Sequence, residues 1–157
     1  MRVEFHQLVE SLSTEGLRRQ SANPGWSNGE LLFHMTFALI LLRSLGPMVR
    51  LWGRLPDWGS RGFAGALDFG TPLFNWFNGL GARAGARIYT GERIGRRYDD
   101  AHRSAIRMLE RVKDEEWSDG MHYPSKWDPL FAGYMTLEDV FRYPVKHFRF
   151  HVNQISR

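Results

Sequence analysis

Apolar side chains recur along this chain at helical spacing, and no segment has the alternation or β-branched content of a core strand. Phe5, Leu8, Val9 and Leu12 mark a short first helix over residues 4–12, ended by Gly16. A second short turn is expected before the Asn23-Pro24-Gly25 breaker. Leu31, Met35, Ala38, Leu42 and Leu45 form the inner stripe of a long helix that starts at Ser27 and is stopped by Gly46-Pro47. Its start has the makings of a capping box, in which Ser27 accepts the Glu30 amide and Glu30 returns to the Ser27 amide. Tyr98, Ala101, Ala105, Met108, Leu109 and Val112 place another long helix over 91–113. Leu137, Val140, Pro144, His147, His151 and Ile155 share one face of a last helix capped by Thr136, with Asp139 at its positive end. Pro144 has no N–H for the Val140 carbonyl, so a kink is expected one turn before His147.

Between these helices lie two long connections. Residues 46–70 are rich in glycine and proline, with Trp52, Trp58 and Phe63 as anchors and room for a short helix near 48–55. Thr71-Pro72 then reads as N-cap and first helical residue, with Leu73, Phe77 and Leu80 directed inward and Gly79, Gly81 and Gly85 weakening the helix. Residues 114–135 form the second connection, carrying Trp117, Gly120, His122, Tyr123, Pro124, Trp127, Pro129 and Gly133. The economical way to bury four amphipathic stripes is an all-α four-helix bundle. One domain over 1–157 is expected, with the Gly/aromatic insert between its second and third main helices.

At 157 residues the chain can bury roughly 70% of its unfolded surface, so its core needs no disulfide. It contains no cysteine, which excludes a disulfide scaffold, a zinc–cysteine knuckle, a cysteine nucleophile and a thiolate ligand. Glu4 and Glu10 interrupt the opening segment, so it does not read as a signal peptide and a cytoplasmic setting is expected. The most apolar stretch, Leu31–Leu42, falls short of the about 20 residues a spanning helix requires, so no membrane segment is expected. The net charge of +4 comes with an arginine-rich middle, from Arg83 to Arg111. Arginines on a solvated helix face, covering apolar surface with their stems, explain it without nucleic acid, for which no recognition motif is present.

Three histidines carry the candidate chemistry. His147 and His151 are four residues apart on the last helix, where side chains at that spacing are neighbours. His34 falls within the inner stripe of the Ser27 helix, and a polar ring on an inner face needs a partner. Together the three could hold zinc, nickel or iron, with a coordination position left for chemistry. The alternative is three histidines that bridge helices by ordinary hydrogen bonds. His102 sits at the edge of the 91–113 stripe, and Glu30, His122, Tyr123 and Trp58 are further pocket candidates. Trp76, Trp117 and Trp127 could also wall a pocket, and Arg83 or Arg87 could hold a carboxylate.

Two segments carry a family resemblance. Trp26-Ser27-Asn28-Gly29-Glu30-Leu31-Leu32-Phe33-His34 resembles the start of the second helix in the DinB/YfiT-like superfamily, where a tryptophan, a capping serine and an acidic residue precede the first ligand histidine. Thr136-Leu137-Glu138-Asp139 through His147-Phe148-Arg149-Phe150-His151 to Ile155 resembles that family's last helix. The first helix is shorter than usual and the insert after the second is longer. The resemblance implies an up-down-down-up bundle in which His34, His147 and His151 hold a divalent metal in an open pocket. It implies a metal-dependent enzyme acting on a small molecule, either transferring a low-molecular-weight thiol to an electrophile or hydrolysing its substrate with metal-bound water. A non-catalytic binding or stress-associated protein is the alternative of a different class. The long aromatic insert must pack on something, which makes a homodimer one expectation and closure over the chain's own pocket another.

Overall fold

A computed structural model describes residues 1–156; Arg157, the last residue of the expected domain, lies outside them. The fold is all-α with one small β-hairpin. Its elements are α1 (Arg2–Ser11), α2 (Thr14–Arg18), α3 (Asn28–Trp52), α4 (Asp57–Phe69), α5 (Thr71–Ile88), α6 (Glu92–Leu109), β1 (Gly120–His122), β2 (Tyr134–Thr136) and α7 (Leu137–Val152). The central element is α3, which packs against α5, α6 and α7, while α1 packs on α6. The core is drawn from Phe5 of α1, Leu31, Leu32, Met35, Leu39 and Leu42 of α3, Ile94 and Tyr98 of α6, and Leu137, Val140 and Phe148 of α7. Phe5 stacks on Tyr98 with ring centroids 3.9 Å apart.

The capping box expected at Ser27 forms, and the expected Thr136 cap is one as well. The Glu30 amide donates to Ser27 Oγ at 3.3 Å and the Ser27 amide to Glu30 Oε2 at 2.7 Å. Thr136 and Asp139 make the same reciprocal pair at the start of α7. These local bonds fix where each helix begins, and so the height at which each histidine leaves its helix.

Gly46-Pro47 does not stop α3, which runs on to Trp52 with Pro47 inside it. The buried stripe runs through Gly46 and continues past the proline at Val49. A Cβ on Gly46 would lie 3.2 Å from Met108 Cε, so the missing side chain lets α6 come close. Packing on both sides offsets the hydrogen bond that Pro47 forgoes. As one continuous helix α3 is long and apolar enough to cross a membrane, but its apolar face is covered by α6 and α7.

The expected connection over 46–70 is helical instead, occupied by the end of α3 and by α4. Trp52 stacks on Phe63 at 5.1 Å, and the Trp127 indole donates to the Leu67 carbonyl, so long-range contacts hold a glycine-rich segment in a helix. Thr71 is not the N-cap of α5; Gly70 is, and the Thr71 hydroxyl donates back to the Asp68 carbonyl at 2.7 Å. Leu73, Phe77 and Leu80 do not point inward but are exposed. Phe74 and Asn78 occupy the inner side instead. The second connection contains two strands, which three-residue lengths hide from any alternation test. They pair antiparallel with Met121 opposite Met135, both buried. The loop between them, residues 123–133, brings Tyr123, Trp127, Asp128 and Phe131 to a cavity also lined by α3 and α7.

Candidate metal centre

His34 leaves α3 two turns beyond its cap, and His147 and His151 leave α7 on the face that packs against α3. The ring centroids are 4.7 Å apart for His34–His147, 5.0 Å for His34–His151 and 4.4 Å for His147–His151. One donor nitrogen from each lies within 4.8 Å of the others, and the Nε2 atoms of His34 and His147 face each other at 3.0 Å. His147 and His151 are buried; His34 is partly exposed at a cavity wall.

The surrounding chain orients these rings. Gln154 Oε1 lies 2.8 Å from His151 Nδ1 and also accepts from Asn23 Nδ2, so the His151 Nδ1–H donates and its Nε2 lone pair is free. The buried Asn28 amide binds the Gly16 and Ser156 carbonyls and pins the segment after α7 to the start of α3. Asp128, on the loop between the strands, has Oδ2 3.9 Å from His147 Nε2. The Tyr143 hydroxyl donates to that same oxygen at 2.6 Å, and the Leu130 amide holds Oδ1 at 2.8 Å. Burial, reinforced by Asp128, raises the Tyr143 phenol far above its ordinary value, so it remains a proton donor.

The profile of the DinB superfamily matches residues 1–155. The chain belongs to the DinB superfamily. No curated protein and no solved structure matches it.

In this DinB-superfamily chain the three histidines form a candidate metal-binding cluster. Two imidazole lone pairs directed at one another in a buried place repel unless a proton or a cation lies between them. A single hydrogen bond occupies only two of the three rings; a divalent cation takes a lone pair from each. The donor set, three neutral nitrogens, suits zinc, nickel or iron. The Nδ1 atoms of His34 and His147 have no hydrogen-bond partner among the described residues, whereas Gln154 fixes the outer side of His151.

Two adjoining cavities, of about 100 and 80 Å³, meet at His34, Phe37, Phe74 and Asn78. Tyr123, Trp127 and Phe131 wall the second, and the Tyr123 hydroxyl has no partner among the described residues. The other accessory residues expected from sequence lie elsewhere. Trp58 is exposed and lines neither cavity. Trp76 is exposed too, and Trp117 packs on Phe141. His102 lies against Tyr98 on α6, and His122 bridges Asp57 and the Gly133 carbonyl. Glu30 serves the α3 cap and borders a separate basin of about 540 Å³ with Arg18, Arg83 and Arg87.

Sequence reasoning missed Asp128, Tyr143, Asn78 and Gln154. Tyr143 was within reach, because it lies one turn before His147. Asn78 interrupts an otherwise apolar face at one turn from Phe74. Asp128 gave no signal, because its position depends on a hairpin too short to recognise.

Burial holds the cluster in its neutral form. It pushes His34 down to about 3, helped by His151 and opposed by Asn78. His147 falls well below its ordinary value through burial and the two neighbouring histidines. His151 is lowered by burial, against the pull of Gln154 and Asp128. An unfolded histidine takes up its proton near pH 6.5, and the folded ones refuse it, so the unfolded state binds more protons below that pH. Stability of the metal-free protein is therefore expected to fall as pH drops from about 6.5 toward 4. Urea unfolding midpoints across that range check this, and His147→Leu should flatten the slope.

Proposed function

We propose that this chain is a divalent-metal-dependent enzyme that transfers a low-molecular-weight thiol to an electrophilic small molecule, in a cytoplasmic setting. The observation that supports this reading is the three-histidine cluster at the wall of an apolar cavity, with a separate basin bordered by Arg83 and Arg87 further along α5. Along α5, Arg83 follows the cavity residue Asn78 by five positions, or about 7.5 Å of helix rise. A small thiol with a carboxylate at its far end matches that span. Arg18, Arg83 and Arg87 make no ion pair among the described residues, so their charge is free for such an anion.

His34, His147 and His151 would hold the metal, which when bound supplies a Lewis acid that lowers the pKa of a thiol or a water. Gln154 keeps the His151 lone pair directed inward. Phe37, Phe74, Trp127 and Phe131 exclude water and favour an apolar electrophile. Asp128 Oδ2, which holds the Tyr143 proton donor, is the carboxylate oxygen beside the cluster and would take the proton released by the nucleophile. The sulfur–carbon bond forms as the leaving group departs with its electron pair.

Asp128 also supports a second reading, hydrolysis, because the same oxygen could take a proton from water. Protein loaded in turn with zinc, nickel or iron(II) separates the two. The expected result is metal-dependent consumption of a carboxylate-bearing thiol with an electrophilic haloarene, and a KM for the thiol about 10-fold higher in Arg83→Ala at unchanged metal content, as expected for loss of one charge-assisted contact. Ester cleavage that ignores added thiol would establish hydrolysis instead.

A further inference from the structure

The outer face of α5 is apolar and uncovered. Leu73 is 61% exposed, Trp76 59%, Phe77 56% and Leu80 45%, and Phe69, which ends α4 just ahead of this helix, is 92% exposed. Positions 73, 76, 77 and 80 follow the spacing by which one helix packs along another, and the other side of α5 already faces α3. A helix that is apolar on both sides belongs between two layers. Residues 69–82 contain no charged side chain.

We propose that this face is a docking surface for a second copy of the chain, with the two α5 helices paired antiparallel across a two-fold axis near Trp76 and Phe77. Area supports it: the exposed parts of these five side chains come to roughly 600 Å² per copy on the usual scale of 150–250 Å² for an aromatic side chain. With Pro72, Asn75 and the arginine stems at the rim, this approaches the roughly 800 Å² per partner of a standard interface. Charge selects the orientation. Arg83 and Arg87 lie toward the C-terminal end of α5, and the helix has no acidic residue to pair with them. A parallel pairing would bring the arginines of both copies together; the antiparallel one sends them to opposite ends. Phe77 lines the cavity beside His34 on one side and is open on the other, so the second copy would back a wall of the candidate site.

The absence of native cysteine makes the test direct. Light scattering on purified protein should give twice the 18.3 kDa chain mass. Trp76→Glu should raise the dimer dissociation constant at least 100-fold with an unchanged circular dichroism spectrum, since Trp76 is exposed in the single chain. Trp76→Cys should form a disulfide dimer on mild oxidation, and Glu10→Cys on α1 should not. A wild-type monomer at 50-micromolar-scale concentration (about 50 μM, above the dissociation constants of specific standard-size interfaces) overturns the proposal, and its cosedimentation with anionic phospholipid vesicles would assign the face to a lipid surface. A dimer that survives Trp76→Glu, or that cross-links equally through Glu10→Cys, overturns it as well.

Discussion

His147→Leu is expected to leave the metal-free fold intact and to abolish its response to zinc. His147 is buried, its Nδ1 has no partner among the described residues, and its pKa is pushed down because the site disfavours charge. Replacing such a ring by an apolar side chain removes a desolvated polar atom and opens a small void. These effects oppose one another, so the metal-free variant should lie within about 1 kcal/mol of the wild type or above it. The metal-bound state behaves differently. At a zinc concentration of 100 times the dissociation constant, a site specific to the folded state adds about 2.7 kcal/mol. Loss of one of three ligands should weaken binding by at least the 100-fold that loss of a strong outer partner can cost. The same zinc concentration then adds about 0.4 kcal/mol or less. Urea unfolding with and without zinc reads both numbers. Gln154→Ala, which frees His151 without removing a ligand, should fall between the two. A zinc response unchanged in His147→Leu would mean the ion binds elsewhere, and collapse of the metal-free variant would make the imidazole a structural bridge.

The meeting of the three histidines was legible because each part of it is local. Ser27 and Thr136 set the starts of α3 and α7 through hydrogen bonds within four residues, and the spacing of His147 and His151 follows from helix geometry. What failed depended on contacts far apart in sequence. Gly46-Pro47 has the composition of a stop, yet Met108 packs on Gly46 and α3 continues. The segment over 57–69 has too many glycines to suggest a helix, yet Trp52, Trp127 and the strand carrying His122 hold it. The stripe Leu73, Phe77 and Leu80 was recognised correctly as apolar but assigned to the wrong side. Periodicity shows that a helix has a face, not what covers it. In α5 two faces compete, and the inner one is won by Phe74, Asn78, Ala82 and Gly85, whose smaller members let the backbone approach α3.

Gly85 puts that approach to the test. A Cβ at this position would lie 2.2 Å from Phe33 Cε1, 2.3 Å from Cδ1 and 2.4 Å from Cζ, so it would meet one whole edge of the ring. Ordinary carbon contacts need about 3.5–4.0 Å, which requires a shift of more than about 1 Å. The Phe33 ring has little freedom to yield, because it stacks on Tyr89 at 5.8 Å with the planes 10° apart. Gly85→Ala gains about 0.5–1 kcal/mol of helix propensity but pays an overpacking cost of about 1–3 kcal/mol, so a net loss is expected. Gly85→Leu should reach the upper end of that range or pass it and drive α5 away from α3. At Gly65, in the interior of α4, nothing lies within 4 Å of an added Cβ, and Gly65→Ala should stabilise by about 0.5–1 kcal/mol. The functional consequence separates two parts of the site. The histidines bridge α3 and α7, whereas Phe74, Asn78 and Arg83 belong to α5. On the proposed function, folded Gly85→Leu should therefore bind zinc within a few-fold of the wild type while the proposed thiol-dependent turnover falls at least 10-fold, through displacement of the cavity wall and the arginines that would position the thiol. If zinc affinity and turnover fell together, α5 would be part of what holds the three imidazoles in place, and the division between a metal cluster on two helices and a substrate wall on a third would be wrong.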